Sequence, residues 1–280
     1  PKDTCTKTSA APFTLFNVLK DSEKLSPKQH EQFHSIVAKV LFATKRARPD
    51  TGTSISYLTT RVREPNKDDW KKMAHLMKYI RGSKDLALIL SADGSGMLKW
   101  YIDASHGVHE NMKGHTGGGL TMGRGYPITA SKKQKLNTRS STETEIVGVD
   151  DLILGVLWTR LFLEAQGYGV TENIVYQDNK SAILLEKNGK SSSGKRTKHI
   201  NMRSFFVTDR IANQDMSVEW CPTDDMTGDF FTKPTQGALF RKFRDLPIVV
   251  HAQPDPGPGK PQELKRPSQA KGVKRPGKRT

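Results

Sequence analysis

The spacing of apolar residues changes partway along the chain, from a helical period to an alternating one. Between residues 28 and 48, Phe33, Ile36, Val37, Val40 and Leu41 recur at three- and four-residue intervals, the spacing of one helical face. Leu25-Ser-Pro27 supplies a helix start and Pro49-Asp50 a break. A second helix is predicted over 53–62. A third is predicted over 68–81, where Trp70, Met73, Ala74, Met77 and Ile80 share a face and Gly82 provides the stop. From residue 86 the period shortens. A short apolar run at 86–90 precedes a strand over 97–104 through Leu98, Trp100 and Ile102. Strands at 116–122 and 126–130 follow, joined by a Gly123-Arg-Gly125 turn. The longest helix is predicted over 142–166, with Ile146, Val149, Ile153, Val156, Leu157 and Leu161 as its stripe. Next come a strand at 173–177, a helix at 179–187, a loop at 191–194, a helix at 197–212, a strand at 216–221, and short helices at 224–231 and 237–243.

This order predicts an α/β fold, a mixed sheet with helices packed on it. It divides the chain into an irregular segment at 1–27, a helical segment at 28–84, a mixed-sheet domain at 85–247 and a tail at 248–280. Beyond His251 the chain is Pro, Gly, Lys and Arg with almost nothing apolar, so the tail is expected to be disordered and basic.

The 280 residues carry a net charge of +16. The stretch from Ala252 holds eight Lys/Arg against Asp255 and Glu263, so it supplies +6 of that total. The remaining excess still favours a polyanionic partner, nucleic acid above all. Two cysteines, Cys5 and Cys221, make no disulfide framework and suit a reducing compartment. No run of eighteen apolar residues is present and the N-terminus lacks a signal-peptide core, so neither a membrane partner nor secretion is expected.

Four carboxylates then stand out, each with an ordinary reading beside a chemical one. Asp103 ends an apolar strand, where Asp is commonly a turn residue. Glu145 fits a capping box with Thr142, but Ser140 and Glu143 fit the same box, and only one register is the real start. A start at Ser140 places Glu145 on the buried face with Val149, a costly place for an unpaired carboxylate. Asp178 follows a strand and precedes a helix, so it is either an N-cap or a ligand at a strand's C-terminal end. Asp229 stands in an acidic helix start with Asp224 and Asp225. The joint order of strand-end Asp, helix Glu, strand-end Asp and helix Asp suits a shared site. Carboxylates gathered that closely repel one another unless cations are bound, and hard cations such as Mg²⁺ or Mn²⁺ take oxygen ligands. His106, His109 and His115 lie in a Gly-rich stretch and are expected in a solvent-exposed loop. Neither zinc spacing nor a GxSxG elbow is present.

Five ordered motifs, Ser131-Lys-Lys-Gln134, Ser140-Ser-Thr-Glu-Thr-Glu145, Tyr176-Gln-Asp-Asn-Lys-Ser-Ala182, Arg196-Thr-Lys-His-Ile200 and Thr227-Gly-Asp-Phe-Phe-Thr-Lys-Pro234, resemble the ribonuclease H region of copia-type retrotransposon polyproteins. Arg48-Pro-Asp50 and Gly82-Ser-Lys84 resemble the preceding end of the reverse transcriptase, a thumb or connection segment. The resemblance implies a ribonuclease H-like five-stranded sheet and cleavage of the RNA strand of RNA–DNA hybrids by two Mg²⁺ ions, with Mn²⁺ as a substitute. It makes Asp103, Glu145, Asp178 and Asp229 the metal ligands. Lys132, Lys133, Lys135, Asn179, Lys195, Arg196 and Lys198 become candidate nucleic-acid contacts, against a solvated basic face as the alternative. His199 becomes a possible auxiliary group, against a helix residue packed on the sheet. The implied partners are the hybrid and the remainder of the polyprotein, in the cytoplasm (a virus-like particle) or the nucleus. Two departures matter. The familiar Asp-Ala-Asp is Asp103-Ala-Ser105 here, and no polymerase Tyr-Val-Asp-Asp motif exists. DNA synthesis by this piece alone is therefore not expected, and an inactive relic that only binds nucleic acid is the alternative reading.

Overall fold

The computed structural model describes residues 5–11, 14–189, 198–245 and 250–251, with side chains from 205 onward in the third stretch and none at 250–251. The predicted tail from 252, the 191–194 loop, Lys195 and Arg196 lie outside the described residues.

Three helices come first. α1, Pro27–Arg46, starts where Ser26 and Gln29 form a reciprocal capping box, and it buries Phe33, Val37 and Val40. A 3₁₀ turn, Pro49–Thr51, leads into α2, Gly52–Thr59, buried along most of its length. The second helix therefore ends earlier than its apolar spacing predicts, and the Thr60 hydroxyl turns back to the Tyr57 carbonyl. α3, Lys67–Gly82, opens on a second capping box, Asn66 with Asp69.

The strands follow as β1 (Leu86–Ala87), β2 (Ser91–Ala92), β3 (Met97–Ser105), β4 (His115–Thr121), β5 (Gly123–Arg124) and β6 (Ile128–Lys133). α4 (Ser141–Ala165), β7 (Glu172–Gln177), α5 (Lys180–Asn188), α6 (Lys198–Ala212) and β8 (Ser217–Trp220) complete the central layer. Two 3₁₀ turns, Thr223–Asp225 and Thr227–Phe231, precede α7 (Gly237–Asp245), and β9 (Val250–His251) pairs back onto β1. The main sheet has five strands in the order β6-β4-β3-β7-β8. The β6-β4-β3 pairs are antiparallel, and the β3-β7-β8 pairs are parallel.

Alternation along β3 sends its two faces to different neighbours. Leu98, Trp100 and Ile102 pack with Val149, Ile153 and Val156 of α4. Tyr101 faces the other way, towards Tyr126, Phe231 and the apolar residues of α1, α2 and α3. The N-terminal helices thus share one apolar cluster with Phe230, Phe240 and Phe243 near the C-terminus. The stripe of α4 departs from expectation. Leu161 is exposed, whereas Thr159 is buried and Leu163 packs against the core. Four-residue steps from Val149 drift off a 3.6-residue period, and the true stripe passes through Leu152, Val156 and Thr159.

The expected solvent-exposed histidine loop is corrected. His106 is exposed, but His109 is buried and His115 belongs to β4 with no exposed surface. The Ser131 hydroxyl donates to the Phe231 carbonyl at 2.8 Å, so its oxygen accepts from His115 Nε2–H at 2.8 Å. His115 Nδ1 is then left to accept from His109 Nε2–H at 3.0 Å. Phe16 covers both rings. Burial lowers His109 from 6.5 to about 4 and His115 to about 3. With folded values below unfolded ones, this stability is complete above pH 6.5. It is lost as pH falls from there towards 3, by up to about 1.4 kcal/mol per pH unit for each ring. His115→Gln is expected to flatten the fall of the urea midpoint below pH 6.5. An unchanged slope would show that these rings do not carry the acid sensitivity.

Candidate metal centre

Parallel pairing builds the site from two strand ends. Tyr101 is level with Tyr176 in the β3-β7 register, so two residues further on Asp103 and Asp178 sit side by side, about one strand spacing of 4.8 Å apart. Asn179 performs the helix cap that Asp178 might have taken, accepting from the backbone N–H groups of Ser181 and Ala182 at 3.1 Å. Asp178 is free of that duty, and its Oδ2 accepts from the Thr223 hydroxyl at 3.0 Å.

The third carboxylate arrives on α4. Ser140 is the N-cap, and its hydroxyl accepts from Glu143 N–H at 3.2 Å. Glu143 turns back to accept from Arg139 N–H at 2.7 Å, which leaves Glu145 one half-turn further along and buried. Oxygens of Asp103, Glu145 and Asp178 all lie within 4.8 Å of one another. Glu145 Oε2 is buried without a hydrogen-bond partner. Burial first, then Asp103 and Asp178, raise the Glu145 carboxyl well above its ordinary value. An oxygen-only set with one orphaned lone-pair donor fits a hard divalent cation.

Asp229 reaches the site on the Thr227–Phe231 turn. Gly228 makes this possible, because a Cβ there would meet Asp103 Cβ and N at 3.0 Å. Asp229 is not part of the close triad. Its Oδ1 accepts from Lys233 Nζ at 2.6 Å, and the same ammonium lies 3.7 Å from Asp103 Oδ2. Thr232 Oγ1 donates to Asp103 Oδ2. Burial and the neighbouring Asp103 raise Asp229 to about 7. Burial alone would lower Lys233, but Asp103 and Asp229 outweigh it and hold the ammonium charged. Asp224 and Asp225 stay exposed, and Lys242 pairs with Asp225 at 3.2 Å.

The basic candidates fare differently. Lys132 Nζ donates to the Asp151 carbonyl at 2.9 Å and faces α4. Lys133 is half-buried and Lys135 is exposed. Lys198 and His199 lie in α6, but their side chains are outside the described residues. Lys233, Thr232 and Thr223 are neighbours of the site to which sequence reading gave no role. The i,i+4 spacing of Asp229 and Lys233 was the available signal. Glu186 is a further surprise. It is fully buried with both oxygens unpartnered, and burial raises its carboxyl well above the ordinary value.

A mixed sheet of three antiparallel strands continued by two parallel ones, flanked by helices and bearing carboxylates at adjacent ends of β3 and β7, is that of a ribonuclease H-like domain. The chain is 28% identical over 243 residues to the Retrovirus-related Pol polyprotein from transposon TNT 1-94 of Nicotiana tabacum, covering 84% of this chain and 18% of that polyprotein. It is 27% identical over 212 residues to the corresponding polyprotein from transposon RE2 of Arabidopsis thaliana, covering 75% of this chain and 14% of that one. Among solved structures, ribonuclease H1 from Halobacterium salinarum aligns with a TM-score of 0.33 at 9% identity, over 47% of this chain and 90% of that enzyme. No protein-family model matches the chain. The chain is thus similar to a segment of the retrovirus-related Pol polyproteins of plant transposons, and it spans less than a fifth of their length. Among the described residues, no helix is long and apolar enough to cross a membrane.

Proposed function

We propose that the chain is a metal-dependent nuclease that cuts the RNA strand of RNA–DNA hybrids, working within a longer Pol polyprotein. The observation that carries this reading is the convergence of Asp103, Glu145 and Asp178, with Glu145 Oε2 buried and unpartnered. In this reading Asp103, Glu145 and Asp178 hold one Mg²⁺, and Asp229 with Asp103 holds a second. When bound, such ions activate the attacking water and stabilise the leaving 3′ oxygen. The chain's own residues prepare the site. Thr223 fixes the Asp178 carboxylate and Thr232 fixes Asp103. Residues 85–247 form the nuclease unit, and 28–84 act as its connection to the polymerase.

The basic edge of the sheet supports a nucleic-acid partner. Lys133 lies near Lys113, Arg61 and Glu110, and Lys132 near Lys45 and Asp151. Ser131 pairs with Gly117, which pairs with Asp103. Lys132 and Lys133 therefore begin about two strand spacings, some 10 Å, from the carboxylates. That is a suitable offset for phosphates flanking a scissile bond.

Cleavage is tested with hybrid, duplex RNA and duplex DNA of one sequence, each strand labelled in turn. The expected result is Mg²⁺-dependent cutting of the hybrid's RNA strand, leaving 5′-phosphate and 3′-hydroxyl ends. Salt-sensitive binding of the hybrid with no turnover in Mg²⁺ or Mn²⁺ would replace this reading with a non-catalytic binding module.

A further inference from the structure

Lys233 is held in place by the chain itself. Its backbone N–H donates to the Asp229 carbonyl at 2.9 Å, and Thr232 N–H reaches the same carbonyl at 3.2 Å. This single turn returns the side chain of residue 233 onto the carboxylate of residue 229. The ammonium lies 2.6 Å from Asp229 Oδ1 and 3.7 Å from Asp103 Oδ2, between two carboxylates that would otherwise repel each other. Asp103 is shared. It belongs to the triad with Glu145 and Asp178, and it also faces the ammonium. The Lys233 side chain is 43% exposed, so Nζ can withdraw to solvent on its flexible stem.

A single positive group therefore stands where a second hard cation would neutralise Asp103 and Asp229. We infer that Lys233 is the resident cation of this second position, so that divalent ions load in sequence, first at Asp103, Glu145 and Asp178, and then at Asp103 and Asp229 only by displacing the ammonium. Lys233 is a positioning residue in this account, acting through the two carboxylates. The inference rests on the metal-dependent reading above, and it gives that site an order of assembly. The second ion would enter most readily when a phosphate draws the ammonium away, which ties full loading to the presence of a nucleic-acid strand.

The test is ion uptake by metal-free protein without nucleic acid, followed by titration calorimetry and by the Mn²⁺ paramagnetic resonance signal. In the wild type, a second Mn²⁺ is expected to bind at least about tenfold more weakly than the first, the effect of one adjacent unit charge. Lys233→Met keeps the length and removes the charge, so the second step should strengthen towards the first. Lys233→Arg should restore the gap. Asp229→Asn, a second variant that does not depend on the Lys233 side chain, should abolish the second step and spare the first. Identical two-step uptake by the wild type and Lys233→Met would overturn the inference and leave the triad as an ion site. Survival of the second step in Asp229→Asn would overturn it in the same way. No saturable uptake by any form would overturn both the inference and the metal-dependent reading.

Discussion

Glu145→Gln is expected to lower Mg²⁺-dependent cleavage of a hybrid by about three orders of magnitude, the several kcal/mol that a correctly held ion contributes. The same change should leave the ion-free protein at least as stable as the wild type. Both effects follow from one position. Glu145 is 5% exposed, its Oε2 has no partner, and Asp103 and Asp178 stand beside it. Glutamine keeps the shape and removes the charge that burial and neighbours disfavour. The sign can be checked by pH. A carboxyl raised above 4.5 in the folded state gives up stability as pH rises from 4.5 towards its raised value. The advantage of glutamine over glutamate in the ion-free protein should therefore grow as pH rises above about 4.5, and added Mg²⁺ should reverse it. Cleavage rates and urea midpoints measured side by side decide the matter. A variant within tenfold of the wild-type rate, or one that unfolds more easily at pH 8 without ions, would contradict the assignment.

Gly117→Ala is expected to damage the fold and the site together. A Cβ at Gly117 would lie 2.6 Å from the Phe231 carbonyl carbon, 2.6 Å from Thr232 Cγ2 and 2.7 Å from Phe231 Cβ. Backbone on one side of that contact cannot rotate away, so β4 and the Thr227–Phe231 turn must separate. Overpacking of this kind costs about 1–3 kcal/mol or more. The separation also moves Asp229, Thr232 and Lys233 away from Asp103. Misplacement of such groups by about 1 Å costs on the order of 100-fold in rate. Gly155 provides the contrast. It lies inside α4, and a Cβ there meets only Trp100, at an ordinary 3.6 Å. Gly155→Ala should be neutral or stabilising by up to about 1 kcal/mol, because glycine is a poor helix former. Equal melting temperatures for the two alanine variants would refute the close approach of turn and strand.

Particular residues show how far the chain's pattern reaches. Phe33, Val37 and Val40 mark α1 through their spacing, and Leu98, Trp100 and Ile102 mark the helix-facing side of β3. The Ser140 and Thr142 registers both fit the sequence, and the structure takes Ser140 as the N-cap, the start that puts Glu145 on the inner face. Other features depend on contacts between residues far apart in the chain, and local periodicity cannot express them. The level placement of Asp103 and Asp178 comes from the β3-β7 register. His109 and His115 resemble loop residues by composition, but Phe16 and Ser131 bury them. Lys233 stands inside the Thr227–Pro234 motif, but its approach to Asp103 depends on the close packing of Gly228 on that residue. Glu186 follows a helical apolar spacing into full burial, where no local rule foresees an unpartnered carboxyl.

The most direct measurement is anomalous scattering from a crystal of the wild-type chain equilibrated with Mn²⁺. The account predicts a peak bonded to carboxylate oxygens of Asp103, Glu145 and Asp178, at about 2.0–2.6 Å as for hard cations on oxygen. At saturating Mn²⁺, or in Lys233→Met, it predicts a second peak between Asp103 and Asp229. Manganese bound elsewhere on the surface, with none at the triad, would contradict it.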